Sequence, residues 1–443
     1  MKFNFIGKIL IYNPKTQNIC KNNLVCYIKK NLIIILFSLL YINFNCKIKN
    51  KINEITNSDR IKLNNVNDFI INLNKYSIYR KSKYILLFDY IYSPVCEDLN
   101  SYSIFEYYQK NNIDYAYYVI NVKTELYKSL LEQNKTNNLI PFRSHQDIKN
   151  LFPFLLNSKI IIQSYYLSFF QKIASRVKYI KFLYICHAVN YFKTSVIKKQ
   201  LSRLDKSKQN IILTSPYEYN LYKKLNLYDE KSLHKGGLAR YDRLNYVHKN
   251  FTEKECILVS FTYRSFKKSY FNKSLFKKNT YKLLKDESLD LLLKNKNIDL
   301  VFIQHHHDVR RGRIISQNIS KTVKFMTQKY LAHYIEQCSL FITDFSSISF
   351  DFMFQNKPVL FYHLDKDDRI KFKEKDFMKI DYNNSIYFNN IFLKHEDLVN
   401  KIKYYINRNF ILEEGLADKY KTLFYNKKNI LQKIAKIINN IIK

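Results

Sequence analysis

The segment Ser339 to Tyr362, SLFITDFSSISFDFMFQNKPVLFY, sets an acid and two hydroxyls between two apolar runs. Leu340, Phe341 and Ile342 lead into Thr343 and Asp344, Ser346 and Ser347 follow, and Val359 to Tyr362 comes after Lys357-Pro358. This order predicts a buried strand, a polar turn, a short helix and a second parallel strand. A helix start offers unpaired N–H groups and a positive dipole end to a phosphate. Ser346 and Ser347 are therefore candidates to cradle one with hydroxyls, in a chain that holds only 5 glycines. Ile348, Phe350 and Phe352 alternate with Ser349 and Asp351, which by itself reads as a strand. A capped helix in an α/β core accounts for the same residues without any ligand.

His187 follows the apolar run FLYIC and should emerge at a strand's carboxyl end. An imidazole titrating near ~6.5 can take a proton from an attacking hydroxyl at neutral pH, although a structural histidine fits the same place. Arg240 and Asp242 sit just after Gly236-Gly237. Two glycines together point to backbone freedom. Arg240 can fork two hydrogen bonds to a phosphate with Asp242 orienting it, or the two can form an ion pair at a hinge. Tyr263-Arg264 closes the run CILVSFT, where an aromatic can stack on a base and a guanidinium can hold phosphate; a core aromatic beside a solvated arginine is the plainer reading. His305, His306 and His307 follow DLVFIQ, but successive residues leaving a strand point different ways and cannot share one metal ion. Asp365-Lys366-Asp367 has the spacing of a divalent-metal motif, and a solvated acidic turn explains it as well.

The elements that must position these residues alternate. Apolar runs at KYILLFDY, DYAYYVIN, KIIIQS, KFLYICH and NIILTS are separated by helical stretches such as Ser101 to Lys110. After Gly236-Gly237 the alternation restarts with CILVSFT, DLVFIQH, SLFITD and PVLFY. Such alternation builds a mostly parallel sheet covered by helices on both faces. We therefore expect an N-terminal extension (1–75), a first Rossmann-like domain (76–250) and a second (251–443), facing across a cleft. Ligands of open parallel sheets bind beyond the strands' carboxyl ends, and every polar motif above falls at such an end.

Composition narrows the partners. The formal charge is +37, which raises nucleic acid, anionic membrane and polyanionic substrate. The basic residues are spread along the chain, and Lys, Asn, Ile, Tyr and Phe abound while Trp is absent, a profile that AT-rich codons impose. No nucleic-acid partner is expected; anionic lipid and polymer remain. Seven single cysteines without a CxxC pair read as reduced thiols of a cytoplasmic protein with no zinc site. Leu32 to Phe44 is apolar but short of the ~20 residues that span a bilayer. At the C-terminus, Ile430, Ile434, Ile437, Ile438 and Ile441 share one helical face among lysines, suited to packing on the chain's own domain or lying on lipid, with packing expected.

TDFSSISFDF followed by NKPVLFY resembles the signature of the CDP-glycerol glycerophosphotransferase family, which has a Thr-Asp-Tyr-Ser-Ser segment, a later acidic residue matched by Asp351, and a Lys-Pro. Phe345 stands where that family has tyrosine. Four further motifs follow in the family's order. Cys186 to Lys193 keeps the histidine and the last lysine of Trp-His-Gly-x-Pro-Leu-Lys-Lys; Gly237 to Leu244 is similar to Gly-x-Pro-Arg-Asn-Asp-x-Leu; Ser260 to Arg264 to Pro-Thr-Trp-Arg; and the histidines to a His-Pro pair, aligned on His306 or alternatively His305. The resemblance implies a GT-B-like fold and metal-independent transfer without a cofactor. It also implies a helix from about Ser346 to Gln355. By the same resemblance, His187 is the general base, and His306 contacts phosphate or protonates the leaving group. Lys193, Arg240, Asp242, Arg264, His305, Thr343, Asp344, Ser346, Ser347 and Asp351 would bind substrate. The donor would be a CDP-activated polyol and the acceptor a lipid-linked or polymeric hydroxyl, at the inner, anionic face of the cell membrane. A nucleotide-sugar glycosyltransferase and a non-enzymatic basic protein bound to membrane or nucleic acid are the alternative readings.

Overall fold

The computed structural model describes residues 66–80, 83–92, 99–165, 167–189, 209–226, 228–247, 254–264, 268–315, 319–371 and 387–443. The chain divides into two compact units, Met1–Lys62 and Leu63–Lys443, and everything below concerns the second. Lys193, the apolar run Leu32 to Phe44 and most of the 1–75 extension lie outside the described residues.

Two parallel sheets carry the fold. The first contains β1 (Tyr84–Phe88), β2 (Ala116–Asn121), β3 (Leu139–Phe142), β4 (Ser158–Gln163), β5 (Lys181–Ile185), β6 (Gln209–Leu213) and β7 (Leu233–Lys235) in the order β3-β2-β1-β4-β5-β6-β7. The second contains β8 (Cys256–Val259), β9 (Asp299–Ile303), β10 (Val323–Met326), β11 (Leu340–Thr343), β12 (Val359–Tyr362) and β13 (Ile391–Phe392) in the order β10-β9-β8-β11-β12-β13. Central strands such as Leu86-Leu87, Ile160–Ile162 and Leu340–Ile342 are buried because helices cover both faces, and this is why they are continuous apolar runs. In each sheet the order reverses once, between β1 and β4 and between β8 and β11, the position beyond whose carboxyl ends open parallel sheets take their ligands. The expected pair of Rossmann-like sheets is present.

The chain then returns to where it began. Tyr425 N donates to Thr214 O at 3.0 Å, and the terminal helix Ile430–Ile442 packs on β5 and on the helices Asn100–Lys110 and Tyr241–Val247. Its isoleucine face is spent on this packing, with Ile430, Ile434 and Ile438 fully buried. The paired glycines serve the same contact. Neither Gly236 nor Gly237 has positive φ, so backbone freedom is not their use. A Cβ on Gly236 would lie 2.5 Å from Ile212 Cγ2, and one on Gly237 would lie 2.9 Å from Ile430 Cγ2. Close approach, not a special turn, excludes a side chain here. Among the described residues no helix is long and apolar enough to cross a membrane.

Candidate active site

At the carboxyl end of β5 the chain leaves the sheet as Cys186-His187. The helix Asn100–Lys110 starts beside it: Asn100 Nδ2 donates to Cys186 O at 3.2 Å, while Asn100 Oδ1 accepts from Arg240 N at 3.1 Å. The His187 ring is half-buried and stacks on Tyr165, centroids 4.7 Å apart and 22° between planes. Neither Asn100 nor Tyr165 carried a sequence signal, since both act over a distance that no local pattern records.

Arg240 joins this strand end to the second sheet. Its Nη1 donates to His187 O at 2.5 Å, and its Nε and Nη2 fork onto Asp351 at 2.8–3.2 Å. Asp351 is 1% exposed, and its burial pushes the carboxyl up while Arg240 pulls it down. Arg240 therefore takes Asp351 as partner, not Asp242. Asp242 instead accepts from Ile430 N and Leu431 N at 3.1 and 2.8 Å, capping the terminal helix.

Asp351 belongs to the helix Ser349–Phe354, shorter than the expected Ser346 to Gln355. Ser346 and Ser347 form the turn before it, with Ser349 N and Phe350 N bonding their carbonyls at 3.1 Å. Asp344 makes the helix start late, because its carboxylate takes Phe345 N at 2.8 Å and pins the chain before the turn. Among the described residues the Ser346 and Ser347 amides have no acceptor.

Arg264, Asp344 and Thr343 are buried, at 0%, 1% and 0% exposure. Arg264 forks onto Asp365 at 2.6 and 2.8 Å and reaches Asp344 at 2.8 Å. Asp344 also accepts from Thr262 Oγ1 at 2.6 Å and Arg369 Nη1 at 3.3 Å. Burial alone would raise the Asp344 carboxyl, but the two guanidiniums and Thr262 hold it well below the usual carboxylate range. The network thus ties the carboxyl ends of β8, β11 and β12. Asp365 and Asp368 are buried within this packing while Asp367 is exposed, so the acidic turn is solvated only in part; Tyr270 OH and Leu275 N donate to Asp368.

The histidine cluster caps β9. His305 heads the helix His306–Arg310 and accepts from His307 N at 3.2 Å. The backbone N and Nδ1 of His306 both lie on Gln328 Oε1, at 2.9 and 2.6 Å. That makes Nδ1 the donor and leaves Nε2 as the atom that gains or gives a proton. Burial lowers the His306 imidazole, against the Gln328 bond and with the help of Arg310. Half-exposed Tyr263 packs 5.3 Å from both His305 and His307. Asp308 anchors the cluster from below through Arg313 at 2.8 Å, and burial pushes its carboxyl up to about 6 against the pull of Arg313 and Arg264. The structure links the His187 backbone, Arg240 and Asp351 by hydrogen bonds, with Ser346 and Ser347 in the turn before the Asp351 helix, leaves Asp242 at the terminal helix, and buries Arg264, Thr343 and Asp344.

The model of the family described as CDP-Glycerol:Poly(glycerophosphate) glycerophosphotransferase matches residues 75–439. The minor teichoic acid biosynthesis protein GgaB of Bacillus subtilis (strain 168) is 24% identical over 376 residues, 77% of this chain but 38% of that protein, so the chain spans well under half of this relative. A solved structure of the wall teichoic acid polymerase TagF is similar with a TM-score of 0.58 at 14% identity, covering 90% of this chain and 98% of that one. A UDP-N-acetylglucosamine 2-epimerase from Listeria monocytogenes shares the fold with a TM-score of 0.51 at 10% identity, over 81% and 96% of the two chains. These structural likenesses establish the GT-B-like fold.

Proposed function

Because this chain belongs to the CDP-glycerol:poly(glycerophosphate) glycerophosphotransferase family, we propose that it transfers a polyol phosphate from a CDP-activated donor to a hydroxyl of a cell-surface polymer or its lipid-linked primer. The observation that carries this reading is the span of Arg240. One guanidinium bonds the His187 backbone carbonyl and the Asp351 carboxylate, which links the strand end that carries the imidazole to the helix that follows the Ser346-Ser347 turn and supports one site shared by both.

The donor's diphosphate lies against the two amides of that turn that lack acceptors among the described residues, beside the Ser347 hydroxyl and the Ser346 hydroxyl that accepts from Ile348 N, where N–H dipoles offset its charge. His187 takes the proton of the acceptor hydroxyl. The oxygen attacks the β-phosphorus as the bond from that phosphorus to the bridging oxygen breaks, and the electron pair leaves on CMP. His306, held with its Nδ1 hydrogen on Gln328, contacts the departing phosphate through Nε2. Arg264 acts beneath the site, since its donors are spent on Asp344, Asp365 and Thr262. Lys193 supplies a further cation. The +37 charge suits peripheral attachment to the anionic inner face of the cell membrane, in the cytoplasm, where such a donor and a lipid-linked acceptor meet.

A panel of labelled CDP-glycerol, CDP-ribitol and UDP-, GDP- and CMP-sugars, each offered with a lipid-linked acceptor, tests the reading. Label passing to the acceptor from a CDP-polyol supports it. Transfer only from a nucleotide sugar refutes it in favour of a glycosyltransferase.

A further inference from the structure

β9 and β10 run parallel with Ile303 opposite Met326, so their chains leave the sheet side by side. Gln328, two residues past β10, thereby meets His306, three residues past β9. Both side chains are half-buried. A single atom, Gln328 Oε1, lies 2.9 Å from the His306 backbone N and 2.6 Å from its ring Nδ1.

Together the two contacts assign the hydrogens in them. A backbone N–H only donates, so the amide atom that faces it is the oxygen and not the nitrogen. An amide oxygen only accepts, so Nδ1 must carry the hydrogen of the second bond. A neutral His306 then keeps its lone pair on Nε2, and a proton that it gains goes there. The way back is fixed too. Loss of the Nδ1 hydrogen would set two acceptors against each other at 2.6 Å, while loss from Nε2 keeps both bonds. The neighbouring ring is set the other way: His305 Nδ1 accepts from His307 N at 3.2 Å, so a neutral His305 carries its hydrogen on Nε2.

The charged and titratable groups around the ring leave this task to the amide. On its own helix the His305 and His307 rings lie 4.7 and 4.2 Å away, Asp308 is held by Arg313, and Arg310 works with burial to lower the imidazole. From the strand end after β8, Tyr263 packs on His305 and His307. Beside Gln328 itself, Lys329 sits over the Tyr330 ring at 4.7 Å.

We infer that Gln328 is a positioning residue of the transfer, holding His306 so that Nε2 is the one ring atom that exchanges a proton with the departing phosphate. The destination of the proton rests on the transferase reading; the side of the ring rests on the two bonds alone. In the step itself the Nε2–H bond breaks with its electron pair staying on nitrogen. An O–H bond forms on a phosphate oxygen of the departing CMP, and the ring ends neutral with Nδ1 still on Gln328.

Long-range proton–nitrogen correlation NMR of the full chain labelled with ¹⁵N-histidine, without donor, reads which ring nitrogen bears the hydrogen, and His306→Gln identifies the His306 signals. Wild-type His306 is expected to show a protonated Nδ1 and a bare Nε2. Gln328→Leu, which removes the acceptor at similar bulk, is expected to lose that pattern and to lower kcat by about tenfold to hundredfold with donor KM little changed, the scale for a group that orients a working imidazole through its second nitrogen. Gln328→Glu keeps an oxygen in place and should keep the pattern. Its carboxylate favours the imidazolium, so the alkaline limb of the kcat profile should move to higher pH. A wild-type His306 protonated on Nε2 overturns the inference, as does a Gln328→Leu variant with unaltered tautomer or unaltered kcat. The other histidine signals show whether that variant is folded; if it is not, an unmoved limb in Gln328→Glu overturns the inference instead. The tautomer is read without donor or acceptor, so a failed donor panel leaves it standing.

Discussion

Arg240 and Asp351 form a forked, buried ion pair that reaches from the strand end bearing His187 to the helix behind Ser346 and Ser347. The two residues come from the two halves of the fold, so the pair ties the strand end after β5 to the helix after β11. A lysine at 240 keeps the charge but cannot fork onto a carboxylate and reach a carbonyl at once. Arg240→Lys is expected to lower kcat/KM for transfer by more than about tenfold, the equivalent of ~1.4 kcal/mol, and Asp351→Asn should act in the same direction. Steady-state kinetics against both variants checks this; unchanged kinetics would remove the pair from the account.

Arg264 lies under the site, and its loss should appear first in stability. Removing one partner from a buried charge network leaves the others uncompensated, at a cost of about 3–5 kcal/mol. Arg264→Gln is therefore expected to lower the melting temperature strongly, and Asp365→Asn to do so in part. Calorimetry of the two variants measures it. A variant at 264 that melts like the wild type but binds donor poorly would instead place that guanidinium on the phosphates.

Asp308 gives the stability a pH dependence. Its carboxyl is raised to about 6 in the folded chain, against about 4 when unfolded. A group raised on folding contributes stability that is fully present below its unfolded pKa and lost as pH rises through the folded value. Relative to Asp308→Asn, the wild type should thus lose stability between about pH 4 and pH 6, and no further above that. Melting temperatures of both proteins across that range test the sign, and a difference that stays flat would contradict it.

Gly237 is a contact position. Alanine there would bring its Cβ within 2.9 Å of Ile430 Cγ2, and overpacking of this kind costs about 1–3 kcal/mol. Gly237→Ala should destabilise, and adding Ile430→Leu, which moves the branch away from Cβ, should restore part of the loss. Additive losses in the double variant would show that the contact is not what excludes a side chain.

How far the sequence could be read follows from where each element lies. The strands legible as apolar runs are the interior ones, buried on both faces. The ones it did not reveal are the four edges, β3, β7, β10 and β13, where half the residues meet solvent and Pro141, Lys235 and Lys324 interrupt the run. In the candidate site, the polar motifs do fall at strand carboxyl ends, because polar residues there follow a buried run in sequence. Partners were another matter. Asp351 lies 111 residues from Arg240, and Asp242 lies 188 residues from the helix it caps, so the nearer acid was the natural but mistaken partner. Arg264 was legible only as a phosphate ligand or a solvated side chain for the same reason: the carboxylates that pay for its burial are 80 and 101 residues away.

The central claim is that the imidazole at 187 and the serine turn work on one donor molecule. Transfer of label from CDP-glycerol to a lipid-linked acceptor, followed in wild type, His187→Ala and the Ser346→Ala/Ser347→Ala double variant, tests it most directly. Loss of the base should lower kcat by about 10²–10⁴-fold with donor KM little changed, and loss of the hydroxyls should raise donor KM. Transfer that proceeds in His187→Ala at the wild-type rate would contradict the account.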